Sequence, residues 1–183
     1  MKNIIKVNNL SYSYDKEPVL KNVNLEINRG DFAAFIGSNG SGKSTFLKIL
    51  LGLIKADKGE VKLFGEKVSQ FDEWKKTGYI SQQVKDFNKS FPATVKEIIA
   101  ANLYHEMGFL KILKGKHDKK INKALKLVDM IKYKNRLIGN LSGGQQQRVF
   151  IARTLVTDPD IIFLDEPLVG VDAVVQDDFF DLI

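Results

Sequence analysis

The 183-residue chain carries 28 Lys and Arg against 22 Asp and Glu, a net charge of +6, with 44% hydrophobic residues and no cysteine. This composition is typical of one folded domain and excludes a disulfide framework or a thiolate metal site. No apolar run approaches the roughly 20 residues that cross a bilayer, and the short apolar start does not resemble a signal peptide. We therefore expect a cytoplasmic protein whose membrane association comes through a partner.

The first third of the chain predicts short strands separated by Asp, Gly and Asn. They cover residues 4–7, 23–27, 32–36 and 61–64. Between the last two, a helical pattern runs over 42–51 and stops at Gly52. A further strand is predicted over 78–80.

The second half is mainly helical. A capping-box pattern from Thr94 to Glu97 opens one helix, and an apolar stripe over 121–131 predicts another. A third helix starts at Ser142 and runs to about Val156. Residues 160–165 then read as a buried parallel strand, so the order of elements predicts an α/β fold with a mostly parallel core sheet.

Charge is unevenly distributed along the chain. Residues 111–136 contain ten Lys or Arg and two Asp, a net charge of +8, whereas 157–183 contain eight acidic and no basic residues. The basic stretch fits either a solvated helical face or a surface that meets anionic lipid headgroups or an acidic partner. Because aromatic residues are not interleaved through the lysine run as stacking on bases would require, nucleic-acid binding is not expected.

A phosphate-binding loop is predicted between the strand 32–36 and the helix that follows it. Its pattern of three glycines followed by Lys43 and Ser44 turns backbone N–H groups inward around an anion, beside the positive end of a helix. Lys43 can reach the outer phosphates, and the Ser44 hydroxyl can bind Mg²⁺. The predicted loop comprises Gly37, Ser38, Asn39, Gly40, Ser41, Gly42, Lys43, Ser44 and Thr45.

An acidic pair, Asp165-Glu166, closes the last predicted strand. Carboxylates at the end of a buried parallel strand lie where such sheets bind ligands. We expect Asp165 to hold the Mg²⁺ shell through water and Glu166 to act as the general base on the attacking water.

A second anion-binding helix start is predicted at Leu141-Ser142-Gly143-Gly144-Gln145. Ser142 is a helix N-cap, and the two glycines expose backbone N–H groups. Two such sites in one chain indicate either two anions or one anion held between two molecules.

Together these motifs resemble the ABC ATPase family, because Ser142 follows Gly37 by 105 residues and Asp165 follows Ser142 by 23. The resemblance implies a P-loop NTPase (RecA-like) core with an N-terminal antiparallel β portion and an inserted α-helical subdomain. Residues 1–87 and 158–183 would form the core, and 88–157 the helical subdomain. It also implies a head-to-tail dimer, in which residues 142–145 of one domain cap the γ-phosphate of ATP held by residues 37–45 of the other.

The same resemblance assigns further residues. Tyr14 matches the aromatic residue that stacks on adenine, with Tyr12 as the alternative. Gln82 matches the glutamine that contacts Mg²⁺ and water and couples to the membrane subunit, ahead of Gln83. Asp172 matches an acidic residue of the loop that crosses the dimer interface.

One departure concerns a histidine that contacts the γ-phosphate in the family, on a strand after the Glu. The only histidines here are His105 and His117, both in the helical insertion. We therefore expect a chain truncated at its C-terminus, which binds ATP and hydrolyses it weakly.

The expected function is the ATP-hydrolysing subunit of an ABC transporter, bound at the inner face of the cell membrane through permease subunits. We expect it to pair with a second, identical ATP-binding domain. Residues 82–83, 91–99 and 165–173 are similar to ATP subunits of zinc/manganese-type uptake systems. The alternatives are a soluble ABC-type ATPase without a permease, and a chromosome-maintenance ATPase, whose long coiled coil the short motif spacing does not accommodate.

Overall fold

The computed structural model describes residues 3–81, 91–109 and 112–165. The chain divides into two compact units, one through Trp74 and one from Lys75 onward. The strands of the described residues are β1 (Asn3–Tyr14), β2 (Glu17–Asn28), β3 (Lys58–Leu63), β4 (Glu66–Lys67), β5 (Thr77–Ile80) and β6 (Ile161–Leu164). The α-helices are α1 (Lys43–Leu50), α2 (Val95–Ala100), α3 (Gly115–Leu127) and α4 (Gly143–Leu155).

The first unit is built on an antiparallel sheet with the strand order β2-β1-β3-β4. Strands β1 and β2 form a long hairpin whose turn residues, Asp15 and Lys16, both have positive φ angles of 44° and 73°. Two consecutive positive φ angles make the tight turn whose twist matches that of paired strands. This hairpin extends well beyond the short strands predicted from sequence.

Helix α1 lies against the sheet of the first unit, next to β3. It buries Phe46, Leu47, Ile49 and Leu50, which recur at the spacing of one helix face. From the sheet, side chains such as Leu63 are fully buried. Each such side chain contributes about 1.5–3 kcal/mol by leaving water, so this packing holds α1 against the sheet.

The predicted strand over residues 32–36 is wrong. These residues have no strand pairing in the described structure, and the side chains of Phe32 and Ile36 are 71% and 96% exposed. An apolar run becomes a strand only when another strand satisfies its backbone N–H and C=O groups. The apolar pattern of the segment does not say whether such a partner strand is present.

The second unit contains the only parallel pair among the described strands, β5 and β6, in register from Thr77 opposite Ile161 to Ile80 opposite Leu164. Helix α4 approaches β5 closely, since a Cβ on Gly78 would lie 2.5 Å from the Thr154 side chain. Helices α2, α3 and α4 share a hydrophobic core. Its most deeply buried members include Val95, Ile99, Leu103, Ile121, Leu125, Ile138, Val149 and Ala152.

Two predicted helix starts are confirmed. Thr94 caps α2, because its Oγ1 accepts from the Glu97 N–H while the Glu97 carboxylate accepts from the Thr94 N–H. Ser142 caps α4 in the same way. The α/β fold class is therefore confirmed, with an antiparallel N-terminal sheet, a parallel strand pair and a helical segment between β5 and β6.

Candidate nucleotide-binding site

The predicted phosphate loop is a tight turn immediately before α1. The Ser41 N–H bonds the Ser38 carbonyl at 3.2 Å, and Gly40 has a φ angle of 82°. The Lys43 ammonium folds back over the loop, donating to the carbonyls of Gly37 at 2.9 Å and Ser38 at 3.0 Å. The lysine is thereby held beside the backbone that is predicted to surround the phosphates.

Gly42 forms the junction between this loop and α1. It is the residue before the helix, has a φ angle of 88°, and provides no side-chain cap for the first N–H groups. A Cβ at this position would lie 2.8 Å from Cγ1 of Val19 on β2. Glycine is required at this position for two reasons, the left-handed backbone and the close approach of β2. The first turn of α1 is the positive end of the helix dipole, which attracts an anion.

Tyr14, the predicted adenine contact, is the last residue of β1 and is 46% exposed. Its ring meets the ring of Tyr12 edge to face, with centroids 4.9 Å apart. Burial, followed by the neighbouring Tyr14, raises the pKa of Tyr12 above its ordinary value of 10.0. Tyr14 is therefore partly exposed, as stacking on adenine would require, while it contacts Tyr12.

Asp165 follows directly after β6, where the sequence predicted a ligand-binding carboxylate. Its backbone N–H bonds the Ile80 carbonyl at 3.0 Å, and its Oδ2 accepts from the Tyr79 hydroxyl at 3.3 Å. Burial, and then the negative charge of Asp165, raises the pKa of Tyr79. The tyrosine therefore stays protonated and orients one oxygen of the carboxylate. Sequence reasoning missed Tyr79, because its partner is 86 residues away and no local pattern joins the two.

Other predicted site residues fall outside the described part of the chain. They are Gln82 with its alternative Gln83, the general-base candidate Glu166, and Asp172. Of the two histidines, His105 is exposed and His117 is fully buried in α3.

The predicted second anion site is the start of α4. Ser142 Oγ accepts from the Gln145 N–H at 3.4 Å, and Gln145 Oε1 accepts from the Ser142 N–H at 3.1 Å. Beside this capping box, Gly143 and Gly144 have open space where a Cβ would be. The glycines thus leave the first N–H groups of a 13-residue helix accessible to an anion.

Two side chains that were not predicted hold this helix start in place. Gln146, only 6% exposed, donates through Nε2 to the carbonyls of Ile138 at 3.1 Å and Leu141 at 3.3 Å. Tyr133 accepts at its hydroxyl from Gln145 Nε2 at 3.2 Å. A glutamine on the buried side of a helix could have indicated the first contact, but nothing in the sequence pairs Tyr133 with Gln145.

Within the described ranges, no group of three or more His, Asp or Glu side chains is arranged to hold a metal ion. No helix of the part of the chain that the structure describes is long and apolar enough to cross a membrane.

Comparison with known proteins gives consistent matches. The sequence profile of the family described as ABC transporter matches residues 20–169. The chain is 51% identical, over all 183 residues and 71% of the relative's length, to the zinc uptake system ATP-binding protein ZurA of Listeria monocytogenes. It is 37% identical to the manganese transport system ATP-binding protein MntB of Bacillus subtilis over 172 residues, which are 94% of this chain and 68% of that protein.

Solved structures agree in fold. CbiO1 from Clostridium perfringens, part of the ABC transporter complex cbiONQ, matches with a TM-score of 0.84 and 28% identity, over 100% of this chain and 72% of that chain. The dimeric ATP-binding cassette MJ0796 in a post-hydrolysis state, bound to ADP and Pi, matches with a TM-score of 0.80 and 32% identity, over 97% and 80% of the two chains. From its phosphate loop, its capped glycine-rich helix start and these matches, the chain belongs to the family of ABC transporter ATP-binding proteins.

Proposed function

We propose that this ABC transporter ATPase powers the uptake of a divalent transition-metal ion, zinc or manganese, through permease subunits at the inner face of the cell membrane. The observation that carries the proposal is the identity of 51% along the whole chain to a zinc uptake ATP-binding protein. The metal is cargo for the partner subunits.

The proposed nucleotide site has two halves that come from two molecules. Residues 37–45 of one molecule surround the phosphates of ATP, Tyr14 stacks on the adenine, and residues 142–145 of a second, identical molecule cap the γ-phosphate. This arrangement is supported by the two helix starts. The start of α1 has no side-chain cap from Gly42, and the start of α4 has open space beside Gly143 and Gly144. Bound ATP then stabilises the dimer, and hydrolysis releases it.

In this proposal the protein promotes hydrolysis by positioning ATP and water and by neutralising negative charge. The Lys43 ammonium and the N–H groups of both helix starts stabilise the negative charge that develops on the phosphate, and Glu166 orients the attacking water. Mg²⁺ supplies further positive charge at the outer phosphates. Ser44, Asp165 and Gln82 suit it, since their hydroxyl, carboxylate and amide oxygens are the hard ligands that Mg²⁺ prefers.

The assignment of residues 1–87 and 158–183 to the ATP-binding core, and of 88–157 to the helical subdomain, is part of the same proposal. Weak turnover by this chain alone also stays a prediction, and the rate of phosphate release from ATP by the purified chain measures it.

The test is reconstitution of the protein with its permease in vesicles that contain a metal-sensitive dye. We expect ATP to drive zinc or manganese accumulation, and Lys43→Ala to abolish it while the complex still assembles. Failure of the permease to bind this protein or to stimulate its ATPase activity would favour the alternative, a soluble ABC-type ATPase. Stimulated hydrolysis without metal movement would instead reject only the cargo.

A further inference from the structure

Helix α3 has a basic outer face that the proposed function does not use. Its inner side buries His117, Ile121, Ala124 and Leu125. On the opposite side, four exposed lysines recur at intervals of three and four residues, which places them in one row along the helix. We call this row the lysine face, and it consists of Lys116, Lys119, Lys123 and Lys126.

Two acidic side chains in or near α3, Asp118 and Glu106, are paired with lysines outside the lysine face. Asp118 lies 2.8 Å from Lys96 Nζ and 2.7 Å from Lys134 Nζ. Glu106 pairs with Lys120 at 2.7 Å. No member of the lysine face has an ion pair within the described residues, so four positive charges lie uncompensated along one side of α3.

The spacing of these charges favours an extended anionic partner. Residues 116 and 126 are about 15 Å apart along a helix that rises 1.5 Å per residue. Neighbouring lysines on the row are therefore closer than the Debye length of about 8–10 Å in physiological salt, and their fields add. A single small anion cannot contact all four ammonium groups, whereas a surface covered with phosphates can.

Exposed apolar side chains border the lysine face at both ends. Leu127 follows Lys126 and is 49% exposed, while Phe109 and Ile112 precede the helix and are 98% and 56% exposed. Lysines flanked by exposed apolar residues are typical of segments that lie at a lipid headgroup boundary. Helix α3 contains no Phe, Tyr or Trp on which nucleic-acid bases could stack.

From this combination we infer that the lysine face of α3 rests on the anionic phospholipid headgroups of the cytoplasmic leaflet. Long lysine side chains reach the phosphates while their stems lie against the apolar border. The ATPase subunit thereby has a lipid contact of its own, in addition to its attachment to the permease. The inference goes beyond the proposed function, and its test needs neither ATP nor permease.

The experiment is flotation of the purified full chain with vesicles. One set contains phosphatidylglycerol mixed with phosphatidylcholine, and the other contains phosphatidylcholine alone. We expect binding to the first set only, with weakening as salt is added. Replacing all four lysines of the lysine face by Gln should lower the partition coefficient several-hundred-fold at low ionic strength, since each lysine near an anionic surface contributes about a fivefold factor.

A matched control removes the same number of charges elsewhere. Its four substitutions to Gln are at exposed lysines outside α3, namely Lys21, Lys55, Lys58 and Lys75. This control should keep the vesicle binding of the unaltered protein, and both variants should melt like it. Equal losses in the two variants, equal binding to neutral vesicles, no binding at all, or tighter binding to a single-stranded oligonucleotide than to the anionic vesicles would each overturn the inference.

Discussion

Replacing Gln146 by leucine removes a buried side-chain donor that joins α4 to the loop in front of its capped start. In the native protein its Nε2 bonds the carbonyls of Ile138 and Leu141 in a buried site. The Ile138 carbonyl keeps a second partner, because it also accepts from the Leu141 N–H at 3.1 Å. The Leu141 carbonyl, next to Ser142, loses its donor.

The size of the effect follows from that one buried carbonyl. An unsatisfied buried acceptor costs about 1–3 kcal/mol of unfolding free energy. In a protein of this length 1 kcal/mol shifts the melting temperature by about 2–4 °C, so Gln146→Leu should lower it by about 2–12 °C. If about 1.4 kcal/mol of that loss destabilises the start of α4, the dissociation constant of the ATP-bound dimer increases on the order of tenfold.

The matched control is Ile121→Val on α3, which destabilises the same unit by about 0.5–1.5 kcal/mol without touching the start of α4. Melting curves by circular dichroism and dimerisation with ATP by analytical ultracentrifugation measure the two effects. We expect Gln146→Leu to weaken dimerisation more than Ile121→Val at a comparable loss of melting temperature. Equal dimerisation of the two variants would refute the reasoning.

Three further predictions concern single side chains. Gly42→Ala should abolish ATP binding and lower the unfolding free energy by more than Gly40→Ala does. Gly40 has a similar φ but open space around the position of a Cβ, so its substitution should cost only about 1 kcal/mol. Melting curves and ATP titrations of both variants test this. The pKa of Asp118 is lowered from 3.8 to about 2 by its lysine partners, Lys134 first. The free energy that the ionised carboxylate contributes to folding is therefore fully present above pH 4 and is lost as the pH falls towards 2. Asp118→Asn should therefore cost about 1 kcal/mol near neutral pH, because the pair is partly exposed, and almost nothing at pH 2, as urea unfolding at both pH values will show. Tyr79→Phe should leave the melting temperature nearly unchanged but raise the Mg²⁺ concentration needed for half-maximal hydrolysis, since Asp165 loses its hydroxyl donor; an unchanged Mg²⁺ dependence would contradict this role.

The parts of the site that depend on neighbouring residues were determined by the sequence alone. The glycines and Lys43 of the phosphate loop, and the capped start of α4 at Ser142, act through hydrogen bonds within three to six residues. A helix cap or a tight turn therefore leaves its pattern in the local sequence. The α/β class could be predicted for the same reason, because the periods of helices and strands are local.

Contacts between distant segments were decided only by the tertiary structure. The bond from Tyr79 to Asp165 and the hold of Gln146 on the loop before Ser142 need strands and turns to be brought together in space. The segment 32–36 gives the opposite case. Its apolar residues have the pattern of a strand, but they are not paired as one in the described structure. A strand is stabilised by the backbone of another strand, and the local sequence of the segment does not indicate whether that partner is present.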